Sequence, residues 1–225
     1  MKKDPFTAPE YDKSALITID IQNDTLNRRP FEVPGTSDIL STVGSVAQSF
    51  RMAKRPIVHI LRIYEQDGTN ADRCRRSALK MGKKLFIRGS NGRRVADPLL
   101  PDTSVKFDDE LLLGGGVQQL GPLEFAIYKP RWGAFFRTPL ESFLAEQGIS
   151  TLVFCGSNFP NCPRTSIYEA GERDFRLVVV EDGVSGLHSR GKEELEKIGV
   201  RLITSDEMIG KMALHQGASH AVSRG

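Results

Sequence analysis

A chain of 225 residues with 39% apolar and 26% charged side chains can bury a sizeable core without a disulfide or metal staple, and this composition excludes disordered, collagen-like and silk-like classes. Its 31 basic and 28 acidic side chains are nearly balanced; the densest basic run, residues 73–84, reads as a solvated face, without the interleaved aromatics of a nucleic-acid footprint. No apolar run reaches the roughly 18 residues of a membrane span, the opening MKKDPFTAPEYDKS has no apolar stretch behind its charges as a secretory signal would, and Cys74, Cys155 and Cys162, with no paired spacing, suit a reducing, cytoplasmic setting.

In chain order, ALITI (15–19) is a first buried strand. Residues 37–54 form a helix with Ile39, Val43, Val46 and Phe50 on one face and Ser37 as its cap. PIVHILRI (56–63) is a second strand. The polar stretch 64–120 breaks the rhythm; a structureless segment of that length is unexpected in a compact domain, so a helix near 72–84 followed by a lid or subunit contact is predicted there. Its glycine triplet 114–116 opens no helix and reads as a plain loop. EFAIYK (124–129), TLVFC (151–155), RLVVVE (176–181) and RLIT (201–204) complete six strands. Between and after them come helices at 138–147, with Thr138 and Pro139 as cap and first turn, 163–173, 190–198 and 205–214. Near-continuous apolar strands alternating with helices predict one α/β domain over 1–225: a three-layer α/β/α sandwich around a six-stranded, mainly parallel sheet, with a flexible tail from 212 to 225.

In such sheets ligands bind beyond the carboxyl ends of the strands. Asp20 follows the first strand, Lys129 the third and Cys162 the loop after the fourth, so an acid, a base and a thiol converge on one edge. Pro163 fits the first position of a helix, which makes Cys162 its cap; the helix terminus and Lys129 are then expected to lower the thiol's pKa. Asp24 is a competing carboxylate, placed in the loop. The four histidines, His59, His188, His215 and His220, have no metal-ligand spacing.

At these residues the sequence resembles the isochorismatase-like cysteine hydrolases, which include nicotinamidases, carbamoylsarcosine amidohydrolases and ureidoacrylate amidohydrolases. The match runs over about residues 12–205. It rests on Asp20-Ile21-Gln22-Asn23-Asp24, on the run from Lys129 through Arg131, Phe135, Phe136, Thr138 and Leu140, and on Gly156 to Cys162. The resemblance implies a catalytic triad of Asp20, Lys129 and Cys162, a cis peptide at Ser157–Asn158, and an oxyanion hole from the N–H groups of Asn158 and Cys162. It implies a hydrolase that cleaves a C–N bond of a small amide or ureido acid through a thioester, and a homodimer or homotetramer. The family's metal-dependent branch uses an Asp and two His after the first two strands; no such histidines follow Asp20 or Ile63, so no zinc and no other cofactor are expected, and nicotinamidase activity is not. Asn158-Phe159-Pro160-Asn161 departs from the usual approach to the cysteine and is expected to reshape the pocket floor. Candidate substrate-binding residues are Arg62, Tyr64 and Arg164, which could hold a carboxylate, and Trp132, Phe136 and Phe159 as walls, with Phe31 closing from the first loop. The alternatives are a vinyl-ether hydrolase using Asp20 alone, and a non-catalytic small-molecule binder or thiol sensor. No nucleic-acid or membrane partner is expected.

Overall fold

The structure, a computed structural model, describes residues 4–29 and 31–216. The central sheet is built from β1 (Ser14–Ile19), β2 (Ile57–Leu61), β3 (Val117–Gly121), β4 (Glu124–Tyr128), β5 (Thr151–Gly156), β6 (Arg176–Val184) and β7 (Arg201–Ile203), in the order β3-β4-β2-β1-β5-β6-β7. All neighbours are parallel except β3 and β4. The helices are α1 (Leu40–Met52), α2 (Arg73–Lys80), α3 (Asp109–Leu113), α4 (Leu140–Glu146), α5 (Cys162–Gly171), α6 (Ser189–Lys197) and α7 (Ser205–Gln216).

Strand alternation sorts the core onto two faces. Leu16, Leu61, Val153, Cys155, Val178 and Val180 point to the layer formed by α1 and α7, with Val43, Val46, Phe50, Met208 and Met212 packed on them. Ala15, Ile17, Ile19, Ile60, Phe154 and Val179 point to the opposite layer, where Leu140 and Leu144 of α4, Ile167 and Ala170 of α5 and Leu195 of α6 cover them. Both faces being covered explains why every residue of β1 and β2 is buried and why these strands read as unbroken apolar runs. The three-layer α/β/α architecture is as expected.

The sheet has seven strands rather than six. β3 escaped the reading because VQQLG is short and half polar: as an antiparallel edge strand it needs only one apolar face, and its pairing with β4 shifts register between Gln119 and Gly121. The stretch 64–120 also carries more structure than a lid. After β2 the chain forms α2, returns so that Ile87 bridges Tyr64, packs 97–100 against α1, and ends in α3 and β3. Its own small core joins Tyr64, Ala71, Leu79, Leu85 and Phe86, with Phe31 laid against them. Three caps differ from expectation; at α4, Pro139 takes the cap position expected of Thr138. α1 begins at Leu40, and the Ser37 hydroxyl instead accepts a hydrogen bond from the Asn27 N–H at 2.8 Å. α5 is capped by Asn161, which makes Cys162 and Pro163 its first two residues. The expected tail is helical as far as Gln216, and 217–225 lie outside the described residues.

One buried polar group ties the sheet to its α1 layer. Glu124, at the start of β4, is 1% exposed; it accepts two hydrogen bonds from Arg51 of α1 at 2.7 and 2.8 Å and one from His59 Nε2 at 2.8 Å. His59 Nδ1 in turn receives the Thr18 hydroxyl at 2.7 Å, so the chain crosses from β4 through β2 to β1. Burial pushes the Glu124 carboxyl up, but the hydrogen bonds from Arg51 and His59 and the charge of Arg51 outweigh it, and the group lies below its ordinary range. Glu124→Gln leaves Arg51 without its counter-ion and is expected to destabilise the fold by about 3 kcal/mol at neutral pH. Because the carboxyl is depressed in the folded state, its contribution is present above the usual carboxylate range and fades as the pH falls through it. The gap between the variant and the wild type, measured by urea unfolding, should therefore narrow below about pH 4.

Candidate active site

The parallel order β4-β2-β1-β5 delivers four strand ends to one edge. Asp20 follows β1 with φ 52°, in the left-handed region a non-glycine residue adopts only when its surroundings fix it. Its N–H donates to the Ile60 carbonyl of β2 at 3.0 Å, and the Thr25 hydroxyl reaches its carbonyl at 3.4 Å. Gly156, at the end of β5, makes the close approach possible: its φ is 143°, and a Cβ there would sit 2.5 Å from the Ile19 carbonyl oxygen.

Lys129 follows β4 and is fully buried. Its Nζ donates to Asp20 Oδ2 at 2.9 Å and to the Arg131 carbonyl at 3.2 Å. Cys162 opens α5, 7% exposed, with its Sγ 3.4 Å from a terminal nitrogen of Arg62. Asp20 Oδ1 is buried and has no hydrogen-bond partner among the described residues. The structure thus brings Asp20, Lys129 and Cys162 to one site, Asp20 and Cys162 lining the same cleft, and leaves one Asp20 oxygen uncommitted. The Ser157–Asn158 peptide is cis. The backbone N–H groups of Asn158 and Cys162 have no hydrogen-bond partner among the described residues.

The thiol differs from expectation. Burial raises the Cys162 pKa most, the Asp20 carboxylate raises it further, and Lys129 and Arg62 pull it down without overcoming them; the net direction is up. A cap-type thiolate therefore does not describe the resting site. With a base carrying a free oxygen at hand, the sulfur keeps its proton until something takes it.

The expected substrate residues scatter. Arg62 is buried at the centre of the cluster rather than held out for a ligand. Tyr64 donates its phenol to Asp72 at 2.8 Å and sits under the α2 flap. Phe159 is fully buried in the core, packed edge-on to His188 and so close to Gly191 that a Cβ there would collide with its ring, so it does not form the pocket floor. Arg164 points to the surface, paired with Glu194 at 2.5 Å. Trp132 and Phe136 are 40% and 45% exposed and line a separate open groove of about 460 Å³ with Arg131 and Glu169. Asp24, the competing carboxylate, is structural: it accepts the Phe86 N–H at 2.7 Å through its side chain and the Phe31 N–H at 3.3 Å through its carbonyl.

Around Cys162 lies a tight cleft of about 30 Å³, walled by Phe31, Val33, Arg75, Phe86, Asn158 and Asn161. Phe31 and Phe86 are the side chains whose backbones Asp24 ties down. Arg75, on α2, stacks its guanidinium 4.4 Å above the Phe31 ring and makes no ion pair among the described residues. Sequence reading missed Arg75, Asn161 and Phe86. Arg75 lay inside the basic run, where nothing distinguished it from its neighbours, and Phe86 followed no strand.

Comparison with known proteins agrees with this picture. The Isochorismatase domain model matches residues 113–207. The chain is 26% identical to a probable inactive nicotinamidase of Arabidopsis thaliana, over 92% of this chain and 100% of the relative. It is 24% identical to a ureidoacrylate amidohydrolase of Methylobacterium radiotolerans, over 81% of this chain and 69% of that one. In three dimensions it superposes on an isochorismatase family protein from Desulfovibrio vulgaris with a TM-score of 0.75 at 23% identity, covering 89% of this chain and 98% of the other, a likeness of fold. By matched domain and relatives the chain is similar to isochorismatase-family proteins, and its topology is theirs.

Proposed function

We propose that this protein is a thiol amidohydrolase that cleaves a C–N bond in a small amide or ureido acid. The observation that carries the reading is an unbonded Asp20 Oδ1 in a residue that shares one cleft with Cys162, with Lys129 holding the other oxygen. Asp20 takes the thiol proton as the sulfur attacks the carbonyl carbon. The carbonyl electrons move to oxygen, which the free N–H groups of Asn158 and Cys162 would receive; each such donor is typically worth about 3 kcal/mol. Asp20 then gives the proton to the departing nitrogen as the C–N bond breaks, leaving a thioester. A water, deprotonated by Asp20, attacks that thioester; the acid is released and the sulfur recovers the proton.

A neutral thiol at rest fits this scheme, because base and nucleophile need to be ionised together at no stage. Within the cleft Asp20 is matched by Lys129 and Arg62 by Asp72, which leaves Arg75 as the cation without a counter-ion. It is the group at the mouth suited to a substrate carboxylate, the role expected of Arg62, Tyr64 or Arg164. The small cleft requires Phe31 and Arg75 to shift as substrate enters.

Screening carboxylated amides and N-carbamoyl acids for ammonia or amine release tests the reading. Cys162→Ala should lose about a thousandfold or more in kcat, and the acyl-enzyme should appear by mass spectrometry in the wild type. Full activity in Cys162→Ala would instead support ether cleavage through Asp20. Arg75→Ala should raise KM about tenfold or more for carboxylated substrates with little change in kcat, and should not affect analogues whose carboxylate is amidated. Asp20→Asn separates thiol ionisation from turnover. Removing the carboxylate removes a cause of the raised thiol pKa, so the pH midpoint of iodoacetamide alkylation at Cys162 should move down while kcat falls about a hundredfold or more.

A further inference from the structure

Arg62 is placed as no other cation of the site is. It follows β2 directly, and Gln22 clamps its main chain from both sides: the Arg62 N–H donates to Gln22 Oε1 at 2.9 Å, and Gln22 Nε2 donates to the Arg62 carbonyl at 2.8 Å. Gln22 is itself fully buried. The guanidinium is then fixed on all edges. One terminal nitrogen donates to the Tyr64 phenol at 3.0 Å and to Asp72; the other lies 3.4 Å from Cys162 Sγ; Nε stands 3.7 Å from Asp20 Oδ2. Tyr64 donates its proton to the same oxygen of Asp72, so Asp72 holds both. At 3% exposed, the arginine has no room for another rotamer.

We propose that Arg62 is a fourth catalytic residue, whose guanidinium stabilises the Cys162 thiolate as negative charge passes from Asp20 to sulfur. The inference rests on the thiol amidohydrolase reading. Proton transfer from Cys162 to Asp20 creates no net charge; it moves one. The S–H bond breaks, the O–H bond forms on Asp20, and the electron pair stays on sulfur. Lys129 is bonded to Asp20 Oδ2 and to the Arg131 carbonyl, so it stays with the carboxyl group and does not follow the charge to sulfur. Arg62 touches both ends of the transfer. A planar guanidinium with five donors in a fixed fork can serve two acceptors at once, which a lysine at the same position cannot. Asp72 cancels the charge of Arg62 at rest, so the burial of the arginine does not depend on Asp20 alone, and Tyr64 sets its angle. Tyr64 and Asp72 are positioning residues acting through Arg62.

A purely structural arginine, present only to neutralise Asp72, would destabilise the fold when replaced but would leave the thiol's ionisation where it is. The test is therefore the pH profile of iodoacetamide alkylation at Cys162, with the modified site assigned by mass spectrometry, in Arg62→Gln, Arg62→Lys and Asp20→Asn beside the wild type. Arg62→Gln is expected to move the alkylation midpoint up by about one pH unit or more, a tenfold loss of thiolate at neutral pH. Arg62→Lys keeps a charge against Asp72 and preserves folding if Arg62→Gln does not; it should show an upward shift as well, with kcat down about tenfold and KM unchanged. A folded Arg62→Lys or Arg62→Gln whose profile overlays the wild type overturns the proposal. If the Asp20→Asn profile moves while the Arg62 variants do not, only the role of Arg62 fails. If neither moves, the activated thiol and the amidohydrolase reading fail with it.

Discussion

A carboxylate taken out of water is stable only where other groups replace the lost solvent, and Asp20 is 5% exposed. Two cations are buried with it, and a second carboxylate, Asp72, is buried with them, so that Asp20, Lys129, Arg62 and Asp72 form a closed set of charges around one thiol. Much of the surrounding structure follows from holding that set in place. Gln22 grips the Arg62 main chain, Tyr64 spans Arg62 and Asp72, and Gly156 lets β5 lie close enough to β1 for α5 to start beside Asp20. Neutrality of the set permits burial, and burial makes each charge effective on the sulfur.

The same balance explains why the site can hold a protonated thiol beside an ionised base. Here burial and Asp20 outweigh Lys129 and Arg62 at the sulfur. In the proposed reaction, ionisation is deferred to the moment of attack, when the charge leaving Asp20 would be met at sulfur by a cation already in position.

Specificity is built from a different part of the chain. The segment between β2 and β3 carries its own small core and closes over the strand ends, and through Asp24 it is tied to the loop after β1. Gly92 lies so close to the Asp24 carboxyl that any side chain would displace it. Phe31, Phe86 and Arg75 reach the cleft because these two loops are joined, whereas Trp132 and Phe136, adjacent in sequence to Lys129, turn outward to another groove. Nearness to Lys129 along the chain is a poor guide to the cleft, since a loop leaving a strand end sends successive side chains to opposite sides.

The sequence by itself determined six of the seven strands, because burial on both faces demands unbroken apolar runs, and it placed Asp20, Lys129 and Cys162 at one edge, because polar residues at the ends of such runs have one edge to meet on. It did not reveal the edge strand β3, whose one-sided burial leaves no such run. Only the tertiary structure decided the roles of the other charged and aromatic residues. Arg62 became part of the charge set rather than a ligand anchor because Asp72, ten residues on, folds back against it; Phe159 went to the core because Gly191 leaves space for its ring; Arg75 reached the cleft because α2 packs over Tyr64. Each depends on a partner whose proximity no local pattern records.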